Sequence, residues 1–254
     1  MADMNIKRVA RAVEPLRCTR RNLEEYKRVV LEAVKQDGVE LENAPRELRC
    51  DKEVVLEAVK QNGYALDYAS RALQDDKEVV LAAVKQNGYA LTCASRALQD
   101  DKEVVLAAVK QNGYVLEYAS WRDQDDKEVV LAAVKQNGYA LAHASQNLKE
   151  DEEILLAAVG QNGAALKYVP YSFKNKEVVL AAVGENGMAL RRAPKLFKDM
   201  EEVVFEAIKQ DDRAIRFASE RIQEKIRGLR HEGSVAEKFL LLEKISRTKS
   251  AKKV

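Results

Sequence analysis

Apolar positions recur along this chain with a fixed period. The stretch Asp51-Lys52-Glu53-Val54-Val55-Leu56 returns at Asp76, Asp101 and Asp126, each time opening almost the same sixteen residues, so the repeat length is 25. Weaker copies occupy residues 26–50 before this block and 151–174, 175–199 and 200–224 after it, which makes eight units, one of them a residue short. Within a unit Val54, Val55, Ala58 and Val59 stand at i, i+1, i+4 and i+5, the spacing of one face of an amphipathic helix. An acidic residue precedes that face, as Asp75 or Asp76 does, where a carboxylate caps free N–H groups. Asp75 with Glu78 fits a capping box.

Glycine closes this first half at Gly38, Gly63, Gly88, Gly113, Gly138, Gly163 and Gly187. Following a helical pattern, it predicts a left-handed stop of Schellman type, with Tyr64 folded back on Val59 and likewise Tyr89 on Val84 and Tyr114 on Val109. The second half, Tyr64 to Ala69, predicts a short second helix that packs Ala65, Leu66 and Ala69 against the first. Ser70, Ser95, Ser120 and Ser145, or Pro45, Pro170 and Pro194 in other units, then break the helix before the next cap. One alanine holds in all eight units (Ala33, Ala58, Ala83, Ala108, Ala133, Ala158, Ala182, Ala207), as expected where helices approach closely.

These patterns predict an all-α protein, an α-solenoid of about eight 25-residue helix-turn-helix repeats with terminal capping helices. The expected parts are a capping segment over 1–25, the repeats over 26–224, a capping helix over 225–246 carrying Phe239 to Leu242, and a basic disordered tail over 247–254. The last unit has Asp212 in place of the glycine, as a terminal unit would. Aromatic residues are only 6% of the chain and glycine and proline are few, which fits a helical composition without strands.

Charge alters this picture little. The formal net charge is +2, and the repeats hold 28 basic against 34 acidic residues, whereas residues 225–254 hold 9 against 3. Cys18, Cys50 and Cys93 are scattered and odd in number, which points away from a disulfide framework or a zinc site and toward a reducing compartment such as the cytosol. No apolar run approaches the length of a bilayer span. The Arg-rich start, Met1 to Arg21, is a candidate for organelle import that Asp3, Glu14 and a shortage of serine count against.

The phrase DKEVVLAAVKQNGYVLEYAS at Asp101 to Ser120 resembles the repeat of the family called domain of unknown function 4116, over about residues 26–224. That resemblance implies a protist protein or an effector acting in a host cytosol, and it brings no activity and no binding residue with it.

Candidate chemistry is sparse. The chain lacks a phosphate-binding glycine loop and the common hydrolase and metal motifs, and His143 and His231 are its only histidines. No enzyme, no cofactor, no metal and no small-molecule substrate is therefore expected. Lys60, Lys85, Lys110 and Lys135 read as a solvated ladder balanced by Glu53, Glu78, Glu103 and Glu128. The copies differ mainly in the second helix and the turn after it, at positions expected to share one face and align between repeats. The partner-binding candidates are accordingly Tyr68, Arg71, Arg96, Tyr118, Trp121, His143, Tyr168, Tyr171, Arg191, Arg192 and Lys195. Asp123 stands where other units have Leu73, Leu98 and Leu148, either a local defect or a binding insertion. The sequence thus reads as a non-enzymatic scaffold for a protein or peptide partner. Nucleic-acid binding through the basic C-terminal repeats and tail, with Arg213 and Arg216, is the alternative, and a structural subunit of a larger assembly is a third.

Overall fold

The computed structural model describes residues 20–228 together with Val235 and Glu237. It divides into two compact units, one ending at Gln136 and one beginning at Asn137. Both are α-solenoid, and no strand occurs among the described residues.

The first unit contains five long helices: α1 (Arg20–Gln36), α2 (Lys52–Gln61), α3 (Lys77–Gln86), α4 (Lys102–Gln111) and α5 (Lys127–Gln136). Each packs on the next in order. The second unit contains α6 (Glu152–Gln161), α7 (Lys176–Glu185) and α8 (Glu201–Gln210), again packed in order, followed by α9 (Glu220–Arg227). The predicted face is the core: Val54, Val55, Ala58, Val59 and their equivalents up to Val183 have essentially no exposure. A lone helix of ten residues is marginal in water, so burial of this stripe between neighbouring repeats is what holds it helical.

The second half of each unit departs from expectation. In most units it is a six-residue 3-10 helix that begins at the glycine, as in Gly63–Tyr68, followed by a further helical turn of four residues, as in Arg71–Gln74; Gly163–Lys167 has five residues, and the turns Leu148–Glu150 and Tyr171–Phe173 have three. No glycine among the described residues has a positive φ, so the left-handed stop is not formed. The residue before the glycine does the capping instead. Asn62 is extended, and its side-chain oxygen accepts from the Tyr64 N–H at 3.1 Å. Tyr64, lifted by this geometry, is 46% exposed instead of lying folded back on Val59.

Glycine is required for another reason. A Cβ on Gly63 would stand 2.5 Å from the Ala83 carbonyl oxygen of the next repeat, and Gly38, Gly138 and Gly163 face the corresponding carbonyls of Ala58, Ala158 and Ala182 even more closely. The invariant alanine and the glycine are thus two sides of one backbone contact. Gln86 seals it, its Oε1 accepting from the Gly63 N–H at 2.6 Å while its Nε2 donates to the Gln61 carbonyl at 3.2 Å.

Two predicted charge arrangements also differ. The cap of α3 is Asp76, which accepts from the N–H groups of Glu78 and Val79, while Asp75 accepts from the Ser95 hydroxyl of the following repeat. Glu78, Glu103 and Glu128 do not balance the Lys60 ladder. They pair with Lys52, Lys77 and Lys102 at 2.8 to 3.0 Å, beside the capping aspartates that the same lysines reach. Lys60 pairs with Glu57 within its own helix, whereas Lys85 and Lys110 border an open groove floored by Leu81, Leu106 and Ala107.

At the far end of the second unit Ile222 and Ile226 of α9 are buried, and Asp212 accepts from the Val235 N–H at 3.2 Å. The expected capping segment before Arg20, the rest of the expected capping helix and the basic tail lie outside the described residues.

Candidate functional site

The candidate residues of each unit gather where the 3-10 helix hands over to the four-residue turn. They do not share one helix, because Ala69 and Ser70 between Tyr68 and Arg71 are extended. The alignment comes instead from the stacking of identical handovers: the Ser70 N–H donates to the Arg49 carbonyl and the Ser95 N–H to the Gln74 carbonyl, both at 2.9 Å.

In the first unit Tyr68 is half-buried and Arg71 and Arg96 are exposed, while Tyr118 and Trp121 expose 48% and 73% of their surface. Tyr118 sets its ring edge-on to Tyr89 of the preceding repeat, with centroids 6.2 Å apart. Arg122 lies 5.5 Å from the Trp121 ring centroid. Glu42 raises the Tyr68 phenol above its ordinary pKa, and Glu117 does the same to Tyr118. Burial raises the Cys93 thiol above its ordinary pKa. Asp123 is buried, and its carboxylate accepts from the Ser120 hydroxyl at 2.6 Å.

The second unit repeats the edge-on tyrosine pair and adds a cation to it. His143 is half-buried, and Tyr168 sits edge-on to Tyr139 at 6.1 Å with the Lys167 ammonium over both rings, 4.9 Å from Tyr139 and 4.4 Å from Tyr168. Tyr171, Arg191, Arg192 and Lys195 are exposed, as is Leu196. Of the other basic residues, Arg213 is held by Asp211 at 2.8 Å and Arg216 covers the Phe217 ring.

Sequence reasoning missed three lysines in this unit. In the first unit Gln74, Gln99 and Gln124 close the 3-10 helices before them, as Gln74 does by donating to the Asp67 carbonyl at 3.2 Å, and Arg49 stands at that place in the first repeat. In the second unit lysines stand at the same place in the repeat: Lys149 donates to the Ala142 carbonyl at 2.7 Å, Lys198 to the Arg191 carbonyl at 2.9 Å and Lys174 to the Arg192 carbonyl at 3.2 Å. The signal available was this change from glutamine to lysine seven residues after the 3-10 residue that Asp67 marks in its repeat. Among the described residues no three His, Cys, Asp or Glu side chains stand close enough to share a metal ion, and no helix is long and apolar enough to cross a membrane.

No curated protein and no solved structure matches the chain. A family model does match, in four tandem segments that each take in about two of the 25-residue units. With residues 26–74, 76–122, 126–174 and 175–223 so covered, the chain belongs to the family described as Domain of unknown function (DUF4116).

Proposed function

We propose that this protein is a binding scaffold without catalytic chemistry of its own, and that it meets a protein or peptide partner through the handover stripe of its repeats. One observation supports this above the rest. The apolar residues that stay constant between copies, such as Val54, Val55, Ala58, Val59 and Leu66, are buried, and the residues that change in the second half, among them Tyr118, Trp121, Tyr171, Arg191 and Lys195, are exposed on that frame. Trp121, with 73% of its surface in water, is open to a partner. Exposed Trp, Tyr and Arg are the side chains that dominate binding energy at protein interfaces.

Photo-crosslinking tests the reading. A photoreactive amino acid at Trp121, Tyr168 or Tyr171 should give discrete protein adducts in cells of the native source, and one at Lys110, on the long-helix face, should not. Adducts confined to Lys110 would remove the stripe as the partner surface.

A further inference from the structure

The second unit holds positive charge that its fold does not require. Closing a 3-10 helix takes only an N–H donor over its last carbonyls, and Gln74, Gln99, Gln124 and Gln223 supply one without charge, each reaching a carbonyl seven residues back. Lys149 and Lys198 do this work with an ammonium group, and Lys174 instead reaches forward to the last carbonyl of the next repeat's 3-10 helix, at Arg192; all three are half-buried against the backbone. Burial lowers the pKa of all three. Arg192 and Lys198 lower Lys174 further, and Arg191 and Lys195 do so for Lys198. No carboxylate offsets these shifts. The Lys174 and Lys198 ammonium groups thus sit on the last two carbonyls of the 3-10 helix Gly187–Arg192, within electrostatic reach of Arg191, Arg192 and Lys195, and Tyr171 and Leu196, from the same turns as these lysines, are exposed.

We propose that the stripe of the second unit, centred on Lys174, Arg191, Arg192, Lys195 and Lys198, binds an acidic peptide segment with apolar side chains between its carboxylates. This rests on the scaffold reading and names the chemistry of the partner on this unit. Charge complementarity identifies the occupant: carboxylates relieve the repulsion among the cations, and Tyr171 and Leu196 offer apolar contact between them. A single-stranded nucleic acid would also bring negative charge, but it gains affinity by stacking bases on open aromatic faces. Tyr139 and Tyr168 are packed edge-on and share the Lys167 ammonium, which leaves Tyr171 as the exposed ring of the cluster.

The test uses the full chain and a fluorescein-labelled peptide of alternating Glu and Leu, with a Gln–Leu peptide and an oligouridine RNA as comparisons. Binding followed by anisotropy should favour the Glu–Leu peptide and weaken with added salt. The variant K149Q/K174Q/K198Q restores the neutral closure of the other repeats, so its thermal midpoint should stay near that of the parent while its affinity falls about tenfold or more. A second variant, R191Q/R192Q/K195Q, leaves the closures intact and should weaken binding as well. Equal affinity for the two peptides, tighter binding of the RNA, or unchanged affinity in both variants would overturn the proposal. Crosslinks from Tyr168 that survive in the triple-Gln variant would also overturn it while leaving the scaffold reading in place. Peptide binding that depends on the lysines, without any adduct from the stripe in cells, would uphold the charge chemistry and count against the scaffold.

Discussion

At the scale of single residues, Asp123 is the clearest conflict between a side chain and its place. It is the one buried charged residue among the described positions, and it stands where Leu73 and Leu98 lie buried in the repeats before it. Burial raises its pKa, and the nearby Asp100 and Asp126 add to that, although the Ser120 hydroxyl offsets part of it. A raised carboxylate pKa means that the folded chain binds the proton more tightly than the unfolded chain. Stability therefore falls as pH rises through the interval between the two values, and the full penalty stands at neutral pH. The capping carboxylates run the opposite way. Asp76 and Asp101 are lowered by Lys52 and Lys77, and what they contribute is present at neutral pH and lost in acid. Comparing Asp123→Leu with the parent cancels the caps and isolates this one group. The substitution should stabilise the chain by about 1–2 kcal/mol near pH 7. That gain should shrink in acid, as the pH falls through the raised value and the native aspartate takes up its proton. Urea unfolding of both proteins across this range measures it, and a gain that grew in acid would show that Asp123 is not the group responsible.

At the scale of the element, the glycines divide by what lies opposite them. Gly63 faces the Ala83 carbonyl, with the Cβ of Asn87 only 2.9 Å from where its own Cβ would stand. Gly63→Ala must push two repeats apart and should cost about 1–3 kcal/mol. Gly160 stands on the exposed side of α6, where an added Cβ meets nothing within 4 Å. Gly160→Ala should stabilise by about 0.5–1 kcal/mol, since glycine in a helix interior gains nothing from its freedom. Urea unfolding followed by circular dichroism separates the two, and a Gly63→Ala protein as stable as the parent would dismiss the backbone contact. This pair also marks what the sequence could reveal. The buried face of Val54, Val55, Ala58 and Val59 was legible because helical periodicity is local. The role of Gly63 was not, because its constraint comes from a carbonyl twenty residues further on. A clue did stand before it, in Asn62 and its equivalents, which are good capping residues and mark the start of the next helix as well as the end of the last. In the candidate site, Trp121 and Tyr171 were legible as variable positions. Lys149, Lys174 and Lys198 were not, since a lysine in a polar turn looks like ordinary surface charge until its carbonyl partner is known.

At the scale of the whole molecule, a solenoid is held by nearest-neighbour terms, so each repeat is exchangeable with any that presents the same contacts. The first unit allows a strict test because its copies are so alike. Removing Asp101–Asp125 takes out one full period and brings Lys77 to Asp126 and Glu128 in place of Asp101 and Glu103, with which it now pairs. Gly88 would meet the Ala133 carbonyl in place of the Ala108 carbonyl, and its N–H would find Gln136 in place of Gln111. The long-helix contacts left after the deletion are of kinds the chain already makes between other copies. The shortened protein should keep its helical signal per residue and unfold cooperatively at a somewhat lower temperature, having lost one interface term. Removing Asp101–Asn112 alone instead leaves Gly88 opposite a 3-10 segment and Lys77 without a capping aspartate, and that protein should lose much of its helical signal. Circular dichroism and calorimetry on the two deletions decide between them. If both behaved alike, the stability of the unit would rest on something other than the register of its repeats.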